Sequence, residues 1–208
     1  PFDMYKPEDV YRPKRNFIPG KVEFVISDIE EIQPEASRGK LTKDNRVIDY
    51  DVLVVATGTD IHPEETEGMT DGGWRKNVFD FYTFEGAVAL SHFVRKWQGG
   101  RLVVNVVENP IKCPVAPLEF LFLADYYFTQ RGMRNKVDLV FATPLSGAFT
   151  KPRAAAAFGD MLKRKNITLE ADFAAGEVNS GKNVLRSYDD REIPYDLLVT
   201  VPTNMGAE

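Results

Sequence analysis

Residues 102–131 read LVVNVVENPIKCPVAPLEFLFLADYYFTQR, and this stretch decides the fold. It opens with a nearly continuous apolar run over 102–107, which is typical of a strand buried on both faces of a sheet. From Pro117 to Arg131 the pattern is helical; it starts with proline, as helices favour, and stops before Gly132. A buried strand followed by a long helix predicts one step of a parallel sheet covered by helices.

The alternation of strands and helices extends on both sides of this stretch. We expect helices over 84–97 and 152–165, strands over 137–142, 167–169 and 195–201, and a polar hairpin over 177–191. This order predicts an α/β fold with a parallel sheet.

The N-terminal part has a different pattern. Its first twenty residues hold four of the thirteen prolines and indicate an extended arm. We expect strands over 22–26 and 46–48, a strand buried on both faces over 51–58, and a surface loop over 60–80.

An internal repeat supports a two-part organisation. Residues 46–54 read RVIDYDVLV and residues 191–199 read REIPYDLLV, so six of nine positions are identical. Duplication explains this better than chance, although any hairpin that feeds a sheet could look similar. The interpretation is that residues 1–82 are the tail of one α/β domain and residues 83–208 the whole of a second.

Composition narrows the function classes. The chain has 208 residues, 43% of them hydrophobic, a formal net charge of -5 and a single cysteine. This predicts an ordinary globular protein with no membrane span, and it argues against nucleic acid as the main partner, because phosphate binding needs a basic surface. His62 and His92 have no metal-ligand spacing, so no metal site is expected.

Cys113 and Glu119 are the residues most suited to chemistry. Cys113 follows a buried strand at the edge of the sheet where ligands collect, and it precedes a helix whose N-terminus, with Lys112, favours a thiolate. Glu119 is close enough in sequence to act as its base. The alternatives are a buried structural thiol and a carboxylate that complements the helix dipole. The turn at 108–113 has no glycine, so a nucleotide is not expected there.

Two motifs resemble those of a known group of enzymes. They are residues 50–58, YDVLVVATG, and residues 113–120, CPVAPLEF. Together they resemble the FAD-dependent pyridine nucleotide-disulfide oxidoreductase superfamily, and within it the sulfide:quinone oxidoreductases. The first motif is shared widely among flavoprotein reductases, whereas the second is closer to the sulfide:quinone type. The resemblance implies a Rossmann-like, three-layer α/β domain of the FAD/NAD(P)-binding type with a β-meander, plus the truncated remainder of a second such domain.

The resemblance also implies roles for individual residues. By match, Ala56, Thr57 and Gly58 would contact FAD, and the backbone of Ile29 would meet the adenine. Cys113 would be the central redox cysteine, bridged through a disulfide or polysulfide to a cysteine far downstream, and Glu119 a base. Electrons would pass from sulfide through this cysteine and FAD to quinone.

Some expected parts do not occur in these 208 residues. The glycine-rich FAD fingerprint would precede Pro1, and Phe79 stands where the family often has another cysteine. We therefore expect an internal fragment that is inactive alone and holds FAD weakly or not at all. The location would be cytoplasmic or, for the full-length protein, peripheral at a membrane; the oligomeric state stays open. Two alternatives remain: a type II NADH dehydrogenase-like or other flavin reductase, and a non-catalytic Rossmann-like binding domain.

Overall fold

The computed structural model describes residues 1–2 and 4–206. They form two compact units, one spanning Tyr5–Thr57 and the other comprising Pro1–Met4 and Gly58–Glu208. The assignment of residues 1–82 and 83–208 to two cofactor-type domains stays a prediction.

The described part of the chain contains four α-helices: α1 (Pro7–Val10), α2 (Phe84–Lys96), α3 (Ala116–Gln130) and α4 (Pro152–Arg164). The strands in the first half of the chain are β1 (Ile29–Gln33), β2 (Arg38–Leu41), β3 (Val47–Asp49), β4 (Thr59–His62), β5 (Val78–Phe79) and β6 (Gly100–Val106). Those in the second half are β7 (Val137–Ala142), β8 (Ile167–Glu170), β9 (Ala175–Asn179), β10 (Val184–Ser187), β11 (Glu192–Pro194), β12 (Leu197–Val201) and β13 (Thr203–Gly206). Every helix and strand expected after residue 83 is present, with ends displaced by at most two residues.

A five-stranded sheet with the order β5-β12-β6-β7-β8 forms the centre of the larger unit, and all its neighbouring strands are parallel. The chain steps from β6 outward to β7 and β8 and then returns to β12 on the other side of β6. The carboxyl ends of β6 and β12 therefore form the point where ligands bind in open α/β sheets.

The core is divided between the two faces of this sheet. Successive residues of β6 point to opposite faces, so Leu102 and Val104 pack with the helices, whereas Val103 packs with the antiparallel sheet β11-β10-β9. Helices, parallel sheet and meander are the three predicted layers. The fold class is confirmed.

The internal repeat has a partly equivalent structure in its two copies. β3 and β11 are each the last strand of a three-stranded antiparallel sheet, β1-β2-β3 and β11-β10-β9 respectively. After β11 the chain enters the fully buried β12. The corresponding residues 51–58 form no strand, and Val52 and Val54 are about 80% exposed. The prediction of a buried strand there is wrong: within residues 1–2 and 4–206, β1 to β3 pair only with one another and offer this segment no parallel neighbour.

Three other N-terminal predictions also fail. Residues 22–26 are not a strand; Val22 and Ile26 are exposed, because β1 takes the pairing edge of β2. The expected arm contains α1 and a short 3-10 helix. The expected surface loop over 60–80 contains β4 and β5, since β13 and β12 supply their pairing partners.

Candidate functional site

The loop that joins β6 to α3 lies at the carboxyl edge of the parallel sheet. It is fixed at its start, where the N–H of Val107 donates to the carbonyl of Val201 at 3.1 Å. It is fixed again where the N–H of Lys112 donates to Asn204 Oδ1 at 3.1 Å. The next residue, Cys113, is exposed. The loop therefore presents the thiol to solvent directly after two fixed points of the backbone.

Two donors converge on the carbonyl oxygen of Cys113. One is the hydroxyl of Tyr82, at 2.9 Å, and the other is the N–H of Ala116, at 3.1 Å. Tyr82 lies just after β5, 31 residues away in sequence. The sequence analysis does not identify Tyr82, because it predicts a surface loop over 60–80 and therefore no strand directly before this residue. Recognising β5 would have placed Tyr82 at this edge, since parallel strands end on the same side of a sheet.

Glu119 lies in the first turn of α3 and is exposed. Its charge and that of a Cys113 thiolate both act on Tyr82. Burial, the largest effect, together with these two negative charges raises the pKa of Tyr82 to about 12, although the hydrogen bond to Cys113 opposes the shift. Cys113 and Glu119 thus both lie within electrostatic range of Tyr82, a phenol that sequence analysis did not include.

The start of α3 is poorly suited to hold a phosphate. Pro117 has no N–H, and the N–H groups of Leu118 and Glu119 both donate to the carbonyl of Val115. The N–H of Ala116 is engaged by Cys113. A dinucleotide site needs free N–H groups at this position to bind the pyrophosphate. The engaged N–H groups therefore argue against a nucleotide here, as the glycine-free turn also does.

A cleft of about 570 Å³ opens beside the first half of the loop. Glu65, Glu108, Asn109 and Tyr188 are among the residues that line it. Two carboxylates in one cleft disfavour an anionic nucleotide. The cleft therefore adds a second argument against a phosphate ligand at this end of the sheet.

The residues predicted to contact the flavin are exposed or partly exposed, and their role stays a prediction. Gly58 has a φ of +81°, where a glycine is favoured, and a Cβ added to it would meet nothing within 4 Å. Ala56 and Thr57 are exposed, and Ile29, in β1, is about half exposed. These residues fit the FAD role. Ile29, Ala56 and Thr57 lie in the smaller unit, whereas Gly58, Cys113 and Glu119 lie in the larger.

Two further predictions concern metals and membranes. Among residues 1–2 and 4–206, no group of three or more His, Cys, Asp or Glu side chains could hold a metal ion. His62 instead pairs with Glu64 at 2.9 Å, and their hydrogen bond helps to lower the pKa of Glu64, after a larger effect of its backbone hydrogen bond. Within the same described residues, no helix has the length and apolarity to cross a membrane.

Comparison with known proteins relates this arrangement to one group of enzymes. No protein-family model matches the chain. Over 203 residues the chain is 25% identical to the mitochondrial sulfide:quinone oxidoreductase of Dictyostelium discoideum, covering 96% of the chain and 45% of that protein. The curated homologues of the chain are sulfide:quinone oxidoreductases. The predicted resemblance is confirmed.

The sulfide-quinone reductase of Aquifex aeolicus is 26% identical over 211 residues, which cover 97% of the chain and 47% of that enzyme. The crystal structure of the sulfide:quinone oxidoreductase from Aquifex aeolicus superposes with a TM-score of 0.71 at 23% identity, over 89% of the chain and 44% of that structure. This likeness establishes the fold. The chain spans about 45% of the length of the curated relatives it matches.

Proposed function

We propose that the chain is the sulfur-reacting part of a FAD-dependent oxidoreductase of the sulfide:quinone type. The observation that carries the proposal is the exposed Cys113 in the loop between β6 and α3. That position in a parallel sheet is where chemistry collects. The first turn of α3 carries Glu119, and its N–H groups are engaged. The homologous enzymes supply the substrate class, a sulfide donor and a quinone acceptor.

In the proposed reaction Cys113 is one half of a disulfide whose other cysteine lies outside these residues, since Cys113 is their only cysteine. Hydrosulfide attacks the sulfur of Cys113, and the S–S bond breaks. Cys113 becomes a persulfide, and the other cysteine leaves as a thiolate that carries the electron pair. Glu119 accepts the proton when hydrogen sulfide is the attacking species. FAD, when bound, supplies the two-electron acceptor that passes the pair on to quinone.

Residues 1–82 would form part of the FAD-binding domain and residues 83–208 the second, dinucleotide-type domain. Ala56, Thr57, Gly58 and Ile29 would hold the cofactor, and the positive φ and open surroundings of Gly58 support this role. The proposal includes a peripheral position at a membrane for the full-length protein, because quinones are lipid-soluble. An NADH-dependent reaction at the 108–113 turn is disfavoured by the engaged N–H groups of α3.

The central step can be tested on the chain itself, because one cysteine allows unambiguous labelling. Ellman's reagent converts Cys113 into a mixed disulfide with nitrothiobenzoate, which takes the place of the missing partner cysteine. Sulfide is then added, and mass spectrometry follows the sulfur. We expect release of the nitrothiobenzoate and a gain of one sulfur atom at Cys113.

The matched control is the double variant Cys113→Ser/Ser146→Cys, which moves the thiol to an exposed position after β7. The helix N-terminus attracts an anion by about 0.3–1 kcal/mol, so we expect Cys113 to react about twofold to fivefold faster than the relocated thiol. Equal rates at the two positions, or no persulfide on Cys113, would refute the proposed role.

A further inference from the structure

We infer that Tyr82 is a positioning residue that holds Cys113 and its loop in the reactive conformation. The inference rests on the proposed function of Cys113 and extends it to a residue in a separate part of the sequence. Tyr82 donates its hydroxyl to the carbonyl of Cys113, not to the sulfur, so it acts on the sulfur through the backbone.

The first argument is the geometry of the shared carbonyl. Ala116 donates to the same oxygen and closes the turn that begins α3. Tyr82 adds a donor from outside this turn, and its distance of 2.9 Å is that of a normal hydrogen bond. The carbonyl of Cys113 therefore joins the helix start to the segment after β5.

A second contact lies on the other side of the thiol-bearing turn. The ring of Phe81 stacks on that of Phe120 in α3, with centroids 4.9 Å apart. The ring of Tyr82 meets Phe81 edge-on at 5.1 Å. Neighbouring residues thus hold the 113–120 segment at both of its ends, by a hydrogen bond at Cys113 and by an aromatic contact at Phe120.

The segment that carries Tyr82 is itself fixed by buried polar groups. Asp80 is fully buried and accepts from the N–H of Thr83 at 2.7 Å and from its hydroxyl at 2.8 Å. Arg75 Nη1 lies 2.6 Å from Asp80 Oδ1, close enough for an ion pair but poorly aligned for a hydrogen bond. The two hydrogen bonds from Thr83 and the ion pair with Arg75 tie Asp80 to both of its flanking segments, so the backbone on either side of Tyr82 is anchored.

The chemistry of the phenol agrees with a holding role. Because the pKa of Tyr82 is raised to about 12, the hydroxyl stays neutral and keeps donating at the pH values where a thiol exchanges its proton. Tyr82 is therefore a poor base, and proton transfer falls to Glu119. The hydrogen bond persists whether the sulfur of Cys113 is a thiolate, a disulfide or a persulfide, because it ends on the carbonyl.

The test compares Tyr82→Phe with Tyr126→Phe in the whole chain. Tyr82→Phe removes one hydroxyl and keeps the ring contact with Phe81, whereas Tyr126 is 62% exposed on α3 and serves as the matched control. A methanethiosulfonate spin label on Cys113 reports local mobility by electron paramagnetic resonance. The sulfide reaction of the nitrothiobenzoate adduct reports function, and thermal unfolding checks that both variants fold.

We expect Tyr82→Phe to narrow the central line of the label and to slow persulfide formation about fivefold, the rate equivalent of one net hydrogen bond. Tyr126→Phe should change neither quantity. Greater mobility with an unchanged rate would overturn the inference by making Tyr82 merely structural. A slower rate with unchanged mobility, or no change in either, would overturn it as well. Absence of persulfide in the wild-type chain would instead overturn the proposed function, and the role of Tyr82 with it.

Discussion

Replacing Gly86 by alanine should destabilise the larger unit, although alanine is the better helix former. Gly86 is buried in the first turn of α2 and donates its N–H to the hydroxyl of Thr83 at 3.0 Å. A Cβ at this position would lie well inside van der Waals contact of the guanidinium of Arg75 and both carboxylate oxygens of Asp80. Since Asp80 has no exposed surface to move into, the new methyl group must separate the buried ion pair.

Two opposing effects set the size of the change. Alanine in place of glycine gains about 0.5–1 kcal/mol of helix stability. Breaking a buried ion pair costs about 3–5 kcal/mol, and the partial exposure of Arg75 puts this pair at the low end of that range. We therefore expect a net loss of about 2–3 kcal/mol, which lowers the midpoint of thermal unfolding by about 4–12 °C for a domain of this size.

The same substitution in α4 provides a control of opposite sign. A Cβ at Gly159 would meet nothing within 4 Å, so only the helix propensity changes. Gly159→Ala should raise the midpoint by about 1–4 °C. Circular dichroism at the helix band measures both variants. A Gly86→Ala chain that unfolds at or above the wild-type temperature would refute the reasoning about the Arg75–Asp80 pair.

Three further outcomes are expected. Burial raises the pKa of Asp125, but hydrogen bonds from Lys165 and Arg134 outweigh it and lower that pKa. The stability from these ion pairs is complete above the unfolded-state pKa of about 3.9 and is lost as the pH falls through the folded value. Urea unfolding at a series of pH values should therefore show that, below about pH 4, the free energy of unfolding of the wild type falls more steeply than that of Asp125→Asn. Alkaline titration of ring-labelled tyrosine by NMR should show a lower pKa for Tyr82 in Cys113→Ser, because a negative charge is removed; an unchanged midpoint would mean that the thiol is remote. The purified 208-residue chain should carry little flavin, and a stoichiometrically yellow preparation would contradict this.

The second half of the fold could be predicted because its signals are local. Thr83 caps α2 by accepting from the N–H of Gly86, and Pro117 stands in the first turn of α3. The apolar run of β6 is long enough to mark a strand buried on both faces. Each of these features is contained in a few neighbouring residues.

The failed predictions depended on partners remote in sequence. Residues 51–58 have the composition of a buried strand, but a strand also needs neighbouring backbones, which β1 to β3 do not offer. β5 is only two residues long, and only its pairing with β12 defines it. Tyr82 was missed for the same reason, since its role depends on a contact 31 residues away.

Proline at the start of α3 suits the proposed sulfur chemistry better than it suits nucleotide binding. In a nucleotide site, glycines let the pyrophosphate approach several free N–H groups. Here Pro114 and Pro117 remove two such groups, and the carbonyls of Cys113 and Val115 engage those of Ala116, Leu118 and Glu119. What remains is the electrostatic field of the helix, which favours a compact anion without cradling a large one. Hydrosulfide is such an anion, so this helix start suits the proposed attack on the sulfur of Cys113 better than it suits a bound phosphate.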